Sequence, residues 1–250
     1  MTVPDPQPGW ALFLDVDGTL VDLAGHPAAV RVEPGLRGLL ENLRDATGGA
    51  LALVSGRSIA DLDRLFAPLE LPAAGQHGAE VRTGRVAALP AGPRRAAFDH
   101  VAAALDAVVH ANPGFVLEDK GSNFALHYRD RPGHAADAEA AIKRAAHELG
   151  DDYEVISGHY VYEAKPAAHN KGTAVLQLMR EAPFAGRIPV FVGDDRTDED
   201  GFEAVARLGG HSVKIGDGPT RARWRVPDAQ AARHWLEDYA RRFAHAAGAS

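Results

Sequence analysis

"LFLDVDGTLVD", residues 12–22, sets two aspartates one residue apart behind an unbroken apolar run and ahead of a Gly-Thr step. A short run with no polar interruption reads as a strand buried on both faces, as in a parallel sheet covered by helices. Its last residues then lie at the carboxyl end of a strand, the edge at which open α/β sheets bind ligands. Carboxylates at Asp15 and Asp17 repel each other at that edge. Two readings stay open at this point: an Asx turn, where Asp and Gly are common, or part of a charged site that takes a cation.

Three more stretches repeat the pattern: "GALALVSG" (49–56), "PVFVGDD" (189–195) and "HSVKIGDG" (211–218). Helices are predicted between them over Pro34–Thr47, Ser58–Leu69, Lys171–Arg180 and Asp198–Leu208. Polar strand ends thus fall at Asp15, Ser55 and Asp194. "DDRTDED" (194–200) holds five acids in seven residues, which repel strongly without a cation. Asp198, Glu199 and Asp200 also suit the first turn of a helix, where the dipole favours acids. Oxygen donors alone, with no cysteine and no paired-histidine spacing, favour magnesium over zinc.

Such a site has a definite chemistry. A carboxylate beside magnesium can attack phosphorus, giving an aspartyl-phosphate that water then hydrolyses. A neighbouring carboxylate can protonate the leaving alcohol and later activate the water. Ser55 and a lysine could hold the phosphoryl oxygens. Taken singly, Ser55-Gly56 reads equally well as a turn before an N-capped helix, and Lys171 as a solvated charge.

The middle of the chain changes character. A helix is predicted at Arg94–His110 and another near His134–Leu149. Around them lie the alternating stretches "GFVLEDKGSNFALHYRD" (114–130) and "YEVISGHYVYEAKP" (153–166), together a small α+β module. Only 35 residues separate Thr19 from Ser55, whereas 115 separate Ser55 from Lys171, so the module is inserted in the second gap. The expected division is a discontinuous Rossmann-like core, 1–84 with 166–250, and an α+β cap, 85–165, acting as a lid over the strand ends. "AARHWLEDYARRFAHAA" (231–247) aligns Trp235, Leu236, Tyr239 and Phe243 on one helical face for packing. Residues 1–9 read as a loose tail.

Composition bounds the rest. The chain of 250 residues is 46% hydrophobic and 24% charged with net charge −7, a balance that offers no support for nucleic-acid or anionic-membrane binding. No cysteine is present, which excludes disulfides and suits a reducing compartment. The short apolar run at Trp10–Leu14 cannot span a membrane. The expectation is a cytoplasmic monomer. Twelve histidines are scattered, with no zinc-type spacing.

"DVDGTL" (15–20), "VSGR" (54–57), "NKGTA" (170–174) and "VGDDRTDED" (192–200) together resemble the four ordered motifs of the haloacid dehalogenase-like (HAD) phosphatases. The resemblance implies Asp15 as nucleophile, Asp17 as general acid/base, and Ser55, Gly56 and Lys171 as phosphate-binding residues. It implies Mg2+ held by the Asp15 carboxylate, the Asp17 main-chain carbonyl and Asp194, with Asp198 reached through water. "LEDKGSNFALHYRD", "AGQHGAEVR", "YEAKPAAHNKGTAV" and "VGDDRTDEDGFEAV" further resemble trehalose-6-phosphate phosphatases. That likeness runs from Trp10 to about Phe243 and implies a sugar phosphate as substrate. It assigns Glu118, Lys120, His127, Arg129 and Glu163 to sugar recognition, with Asn123 beside them. Lys165 stands where that family has arginine. Read without the likeness, these lid residues also fit the exposed faces of amphipathic strands. The alternatives are a phosphatase for sucrose 6-phosphate or mannosyl-3-phosphoglycerate, and a non-catalytic sugar-phosphate sensor, which would be expected to lack Asp15 or Asp17.

Overall fold

The opening apolar run forms β1 (Trp10–Leu14), every residue of which is buried. The computed structural model describes residues 3–22, 30, 32–83, 87–88, 95–158 and 160–243. The chain divides into two compact units, Met1–Ala88 with Asn170–Ser250, and Leu89–His169.

In the larger unit β1 pairs in parallel with β2 (Leu51–Val54) on one side and β10 (Ile188–Gly193) on the other. The sheet continues through β11 (His211–Ile215) and β12 (Trp224–Val226) at one end. At the other end stand β3 (Ala73–Gly75), β4 (Glu80–Arg82) and β5 (Ala87–Ala88). Its order is β12-β11-β10-β1-β2-β3-β4-β5. The strands from β12 to β3 are parallel, and β4 and β5 are added antiparallel.

Alternation along the strands supplies two cores. Trp10, Leu12 and Leu14 face α1 (Pro34–Ala46), α2 (Ile59–Phe66) and α7 (Ala229–Phe243), meeting Leu40, Leu62 and Leu236. Ala11 and Phe13 face the other way, toward α5 (Lys171–Leu178) and α6 (Asp198–Arg207), meeting Val175 and Phe202. Three of the helices begin for a local reason. Pro34 pre-sets the first turn of α1, the Ser58 side chain accepts from Asp61 N–H, and Asn170 with Thr173 closes a capping box on α5. Helix α2 stops at Phe66, short of the expected Leu69, because Ala67 precedes Pro68 and is driven to extended backbone, ψ 139°.

The smaller unit has α3 (Arg95–Ala111), β6 (Val116–Asp119), β7 (Phe124–His127), α4 (Ala135–Leu149), β8 (Tyr153–Gly158) and β9 (Val161–Pro166). The strands form an antiparallel sheet in the order β6-β7-β9-β8. Phe124, Leu126 and Ala164 pack on Val101, Leu105, Ala141 and Ile142 of the two helices. The opposite face of the sheet carries the polar residues.

Two expectations change. Strands β3, β4, β5 and β12 have two or three residues each, too few to show alternation. The N-terminal stretch is not a loose tail over its described part. Pro4 and Pro6 are buried, Val3 packs on the core, and the Pro4 carbonyl accepts from the Trp235 indole at 3.2 Å. The indole's need for an acceptor ties the tail down. Arg94, at the start of one expected helix, and residues 244–247, at the end of another, lie outside the described residues. Among the described residues no helix is long and apolar enough to cross a membrane.

Candidate active site

Two strand ends, of β1 and β10, and two helix starts, of α5 and α6, meet in the larger unit at one acidic cluster. Asp15 follows β1, with its N–H bonded to the Val192 carbonyl at 3.0 Å. Gly18 turns the chain back with φ +84°, and the Asp194 carboxylate fills the space a Cβ there would need. Glycine is therefore required twice over, by backbone and by contact. Thr19 Oγ1 lies 3.3 Å from Asp15 Oδ2 and 3.2 Å from Asp194 Oδ1.

Lys171, at the start of α5, is the central cation. Its Nζ donates to Asp15 Oδ1 and Asp198 Oδ1, both at 2.7 Å. All three side chains are buried. The other Asp198 oxygen accepts from the N–H groups of Asp194 and Asp195, each at 2.9 Å, so it ties the acidic loop to the start of α6. Asp15, Asp194 and Asp198 each bring a carboxylate oxygen within 4.8 Å of the others. Removing one partner from a buried ion network of this kind typically costs about 3–5 kcal/mol.

The electrostatics are lopsided. Burial pushes the Asp15 carboxyl well above 3.8, with Asp198 adding to the push and Lys171 opposing it. Burial, then Asp198 and Asp195, pushes Asp194 up to about 6. Asp198 is likewise raised, burial first, against the pull of Lys171. Burial works against the Lys171 ammonium, but Asp15 and Asp198 outweigh it and hold the group well above 10.5. Lys171 is thus a fixed positive charge among three carboxylates that outnumber it, each raised first by its burial.

Asp17 takes a different partner. Arg57 Nε and Nη2 donate to its two oxygens at 2.6 Å each, a bidentate fork that links the loop after β1 to the loop after β2. Ser55 is buried at the end of β2, and its Oγ accepts from Arg57 N–H at 3.2 Å. Gly56 lies beside the His77 ring. The structure therefore brings Asp15, Lys171, Asp194 and Asp198 into one cluster, with Asp17, Ser55 and Gly56 on the flanking loops joined by Arg57.

In the smaller unit Glu118, Lys120, Asn123, His127 and Glu163 gather on the polar face of its sheet. Glu118 and Glu163 flank Ala125 in register. His127 Nε2 is 3.2 Å from Glu118 Oε2, and Lys120 Nζ is 3.2 Å from Glu163 Oε2. Asn123 Nδ2 donates to the other Glu163 oxygen. The bond to His127 outweighs burial and lowers the Glu118 carboxyl. Arg129 lies just past β7, 5.1 Å over the Tyr160 ring. Lys165 is structural: its buried ammonium meets Glu154 and the His169 carbonyl, each at 2.5 Å.

Sequence reading passed over Thr19, Arg57 and Lys214. Thr19 and Arg57 stand inside quoted motifs, but nothing local shows which partner each side chain takes. Lys214 had a visible signal, a charge inside the buried strand "SVKI". Its Nζ donates to the Asp194 and Ile215 carbonyls, which holds the acidic loop against β11.

Residues 13–230 match the family model described as trehalose-phosphatase. The chain is 43% identical over 238 residues to trehalose-6-phosphate phosphatase of Escherichia coli strain K12, which covers 94% of this chain and 88% of that one. Its fold is similar to the crystal structure of a trehalose-6-phosphate phosphatase related protein, with TM-score 0.74 and 26% identity over 92% and 96% of the two chains. It is also similar in fold to a haloacid dehalogenase-like hydrolase from B. subtilis, with TM-score 0.62 and 16% identity over 91% and 99%. The family match takes in the strand ends, the Lys171 helix and the acidic loop alike, so the chain belongs to the trehalose-phosphatase family, phosphoric monoester hydrolases on the HAD-like α/β fold.

Proposed function

We propose that this enzyme hydrolyses trehalose 6-phosphate to trehalose and inorganic phosphate with Mg2+, through an aspartyl-phosphate on Asp15. The observation that carries the mechanism is the buried Asp15 carboxylate held by Lys171 beside Asp194 and Asp198. The substrate rests on the likeness to relatives named for it. The donor set fits a hard divalent cation: oxygens only, close together, with more negative charge than Lys171 balances. Asp15, Asp194 and the Asp17 carbonyl would hold the ion, with Asp198 behind them. Once bound, it would neutralise charge on the phosphoryl oxygens.

The protein's own groups divide the work. An Asp15 oxygen attacks phosphorus and the bond to the sugar oxygen breaks. Asp17 gives that oxygen its proton, and so must exchange the Arg57 fork for the leaving group. Asp17 then takes a proton from water as the water oxygen attacks phosphorus, which frees phosphate and restores Asp15. Ser55, Gly56 and Lys171 hold the phosphoryl oxygens. Residues 85–165 serve as the cap, and Glu118, Lys120, Asn123, His127, Arg129 and Glu163 read the sugar hydroxyls, for which a mixed set of donors and acceptors is suited. The enzyme acts as a cytoplasmic monomer, a compartment that suits a cysteine-free chain.

The test is phosphate release, with Mg2+ and with EDTA, from trehalose 6-phosphate, sucrose 6-phosphate, glucose 6-phosphate and mannosyl-3-phosphoglycerate. A metal-dependent preference for trehalose 6-phosphate is expected. Equal rates on all four would overturn the substrate, and turnover undiminished by EDTA would overturn the metal.

A further inference from the structure

The stretch "GQHGAE" (75–80) is not used by the mechanism above, yet it is built around the phosphate loop. Gln76 and His77 are consecutive non-glycine residues in the left-handed region, φ +49° and +56°. Both are buried, 3% and 9% exposed. L-residues with side chains rarely adopt this conformation even singly, and such outliers persist only where the surroundings over-determine them.

Here the surroundings do so. The Gln76 N–H donates to the Arg57 carbonyl at 2.8 Å and the His77 N–H to the Ser55 carbonyl at 3.0 Å. The two strained residues therefore aim their backbone donors at the two carbonyls that bracket Gly56. Glu80 locks the arrangement from behind, accepting from Ile59 N–H and from the Gln76 amide, each at 2.7 Å. The His77 ring then lies flush on Gly56: a Cβ there would stand 2.8 Å from both Cε1 and Nε2. Gly78 lies against the main chain before Lys171, where a Cβ would be 2.5 Å from the Asn170 carbonyl. The turn is thus wedged between the two elements that carry Ser55 and Lys171.

We propose that the Gln76–His77–Gly78 turn is the template on which the phosphate loop is set, with His77 a positioning residue whose imidazole fixes Gly56. The proposal rests on the phosphate-binding role given above to Ser55, Gly56 and Lys171. It explains why position 56 is glycine although its φ needs none: the ring occupies the space a side chain would take.

The test is a double-mutant cycle read as binding of inorganic phosphate to the full-length protein with Mg2+, by calorimetry and as product inhibition. His77→Asn keeps a residue that tolerates left-handed backbone. It ends where the ring's Nδ1 and Cδ2 stand, so it clears the atoms that crowd Gly56. Gly56→Ala and His77→Asn are each expected to weaken phosphate binding about tenfold, the size of coupling seen between residues in contact. The double variant is expected to be no weaker than Gly56→Ala alone, because the clash is gone. The substrate KM should rise more than kcat falls. Effects that multiply in the double variant, or unchanged phosphate affinity in a folded His77→Asn protein, would overturn the proposal. Should Gly56→Ala fail to fold, His77→Asn decides alone. Lys171→Ala separates the two readings. If it leaves phosphate binding intact, the site assignment fails. If it abolishes binding while the cycle is additive, only the role of His77 fails.

Discussion

Asp15 is buried against Lys171 rather than against solvent, and as the proposed nucleophile it would have low conformational freedom, already aimed when substrate arrives. Asp15→Asn keeps the shape but removes the attacking charge. Phosphate release should fall by about 10⁴-fold or more, the scale seen when a covalent nucleophile is lost, with an unchanged circular dichroism spectrum. Full turnover by that variant would sink the mechanism. Asp194 sits differently, partly exposed and raised to about 6 against 3.8 in an ordinary setting. Between those two values the folded state keeps a proton that the unfolded chain has already released, so metal-free stability falls as pH rises through that window. Asp194→Asn removes the repulsion. Its metal-free Tm at pH 7 should exceed that of the wild type, and added Mg2+ should raise it less. A metal-free Tm advantage of Asp194→Asn over the wild type that failed to shrink from pH 6 to pH 4 would contradict this reading of the cluster.

Among the elements, β11 does more than extend the sheet. Lys214 lies on its buried run and feeds both the Asp194 and Ile215 carbonyls. Lys214→Met would leave one buried acceptor, the Ile215 carbonyl, and one part-buried acceptor, the Asp194 carbonyl, without this donor, at about 1–3 kcal/mol for the buried one. Thermal unfolding should show that loss, and Mn2+ titration followed by electron paramagnetic resonance should show weaker ion binding. Wild-type ion affinity would confine Lys214 to folding alone. In the smaller unit the sheet carries a paired polar face, with Glu163 held by Lys120 and Asn123. Glu163→Gln should raise the KM for trehalose 6-phosphate about tenfold, the cost of one charge-assisted hydrogen bond, with a smaller effect on kcat. A lowered kcat at constant KM would instead place Glu163 outside sugar recognition.

At the scale of the whole molecule, the central strand is clamped from both faces and from both ends of the chain. Trp10 is fully buried, stacks on Tyr239 with centroids 5.2 Å apart, and meets Trp235 at 5.8 Å. Trp10→Ala should cost about 3–5 kcal/mol, measured by denaturant unfolding. Because Asp15 leaves β1 directly, phosphatase activity should be lost at a lower denaturant concentration in that variant too.

The main strands were legible in the sequence because burial on both faces leaves a local mark, an apolar run in "WALFLD", "LALV" or "PVFV" that needs no knowledge of its neighbours. The acidic cluster was legible for a related reason. Carboxylates closing such runs at Asp15 and Asp194 must share one sheet edge once the strands are parallel. What the sequence could not determine is which groups meet across long stretches of chain. Arg57 takes Asp17 from 40 positions away, and the Trp235 indole finds the Pro4 carbonyl across 231. The left-handed backbone at Gln76 and His77 was equally hidden, since neither is a glycine and nothing beside them in the chain marks the turn. Periodicity and strand ends are properties of the covalent chain and can be read from it. Partner choice and tolerated strain depend on everything packed around them, and only the tertiary structure decided those.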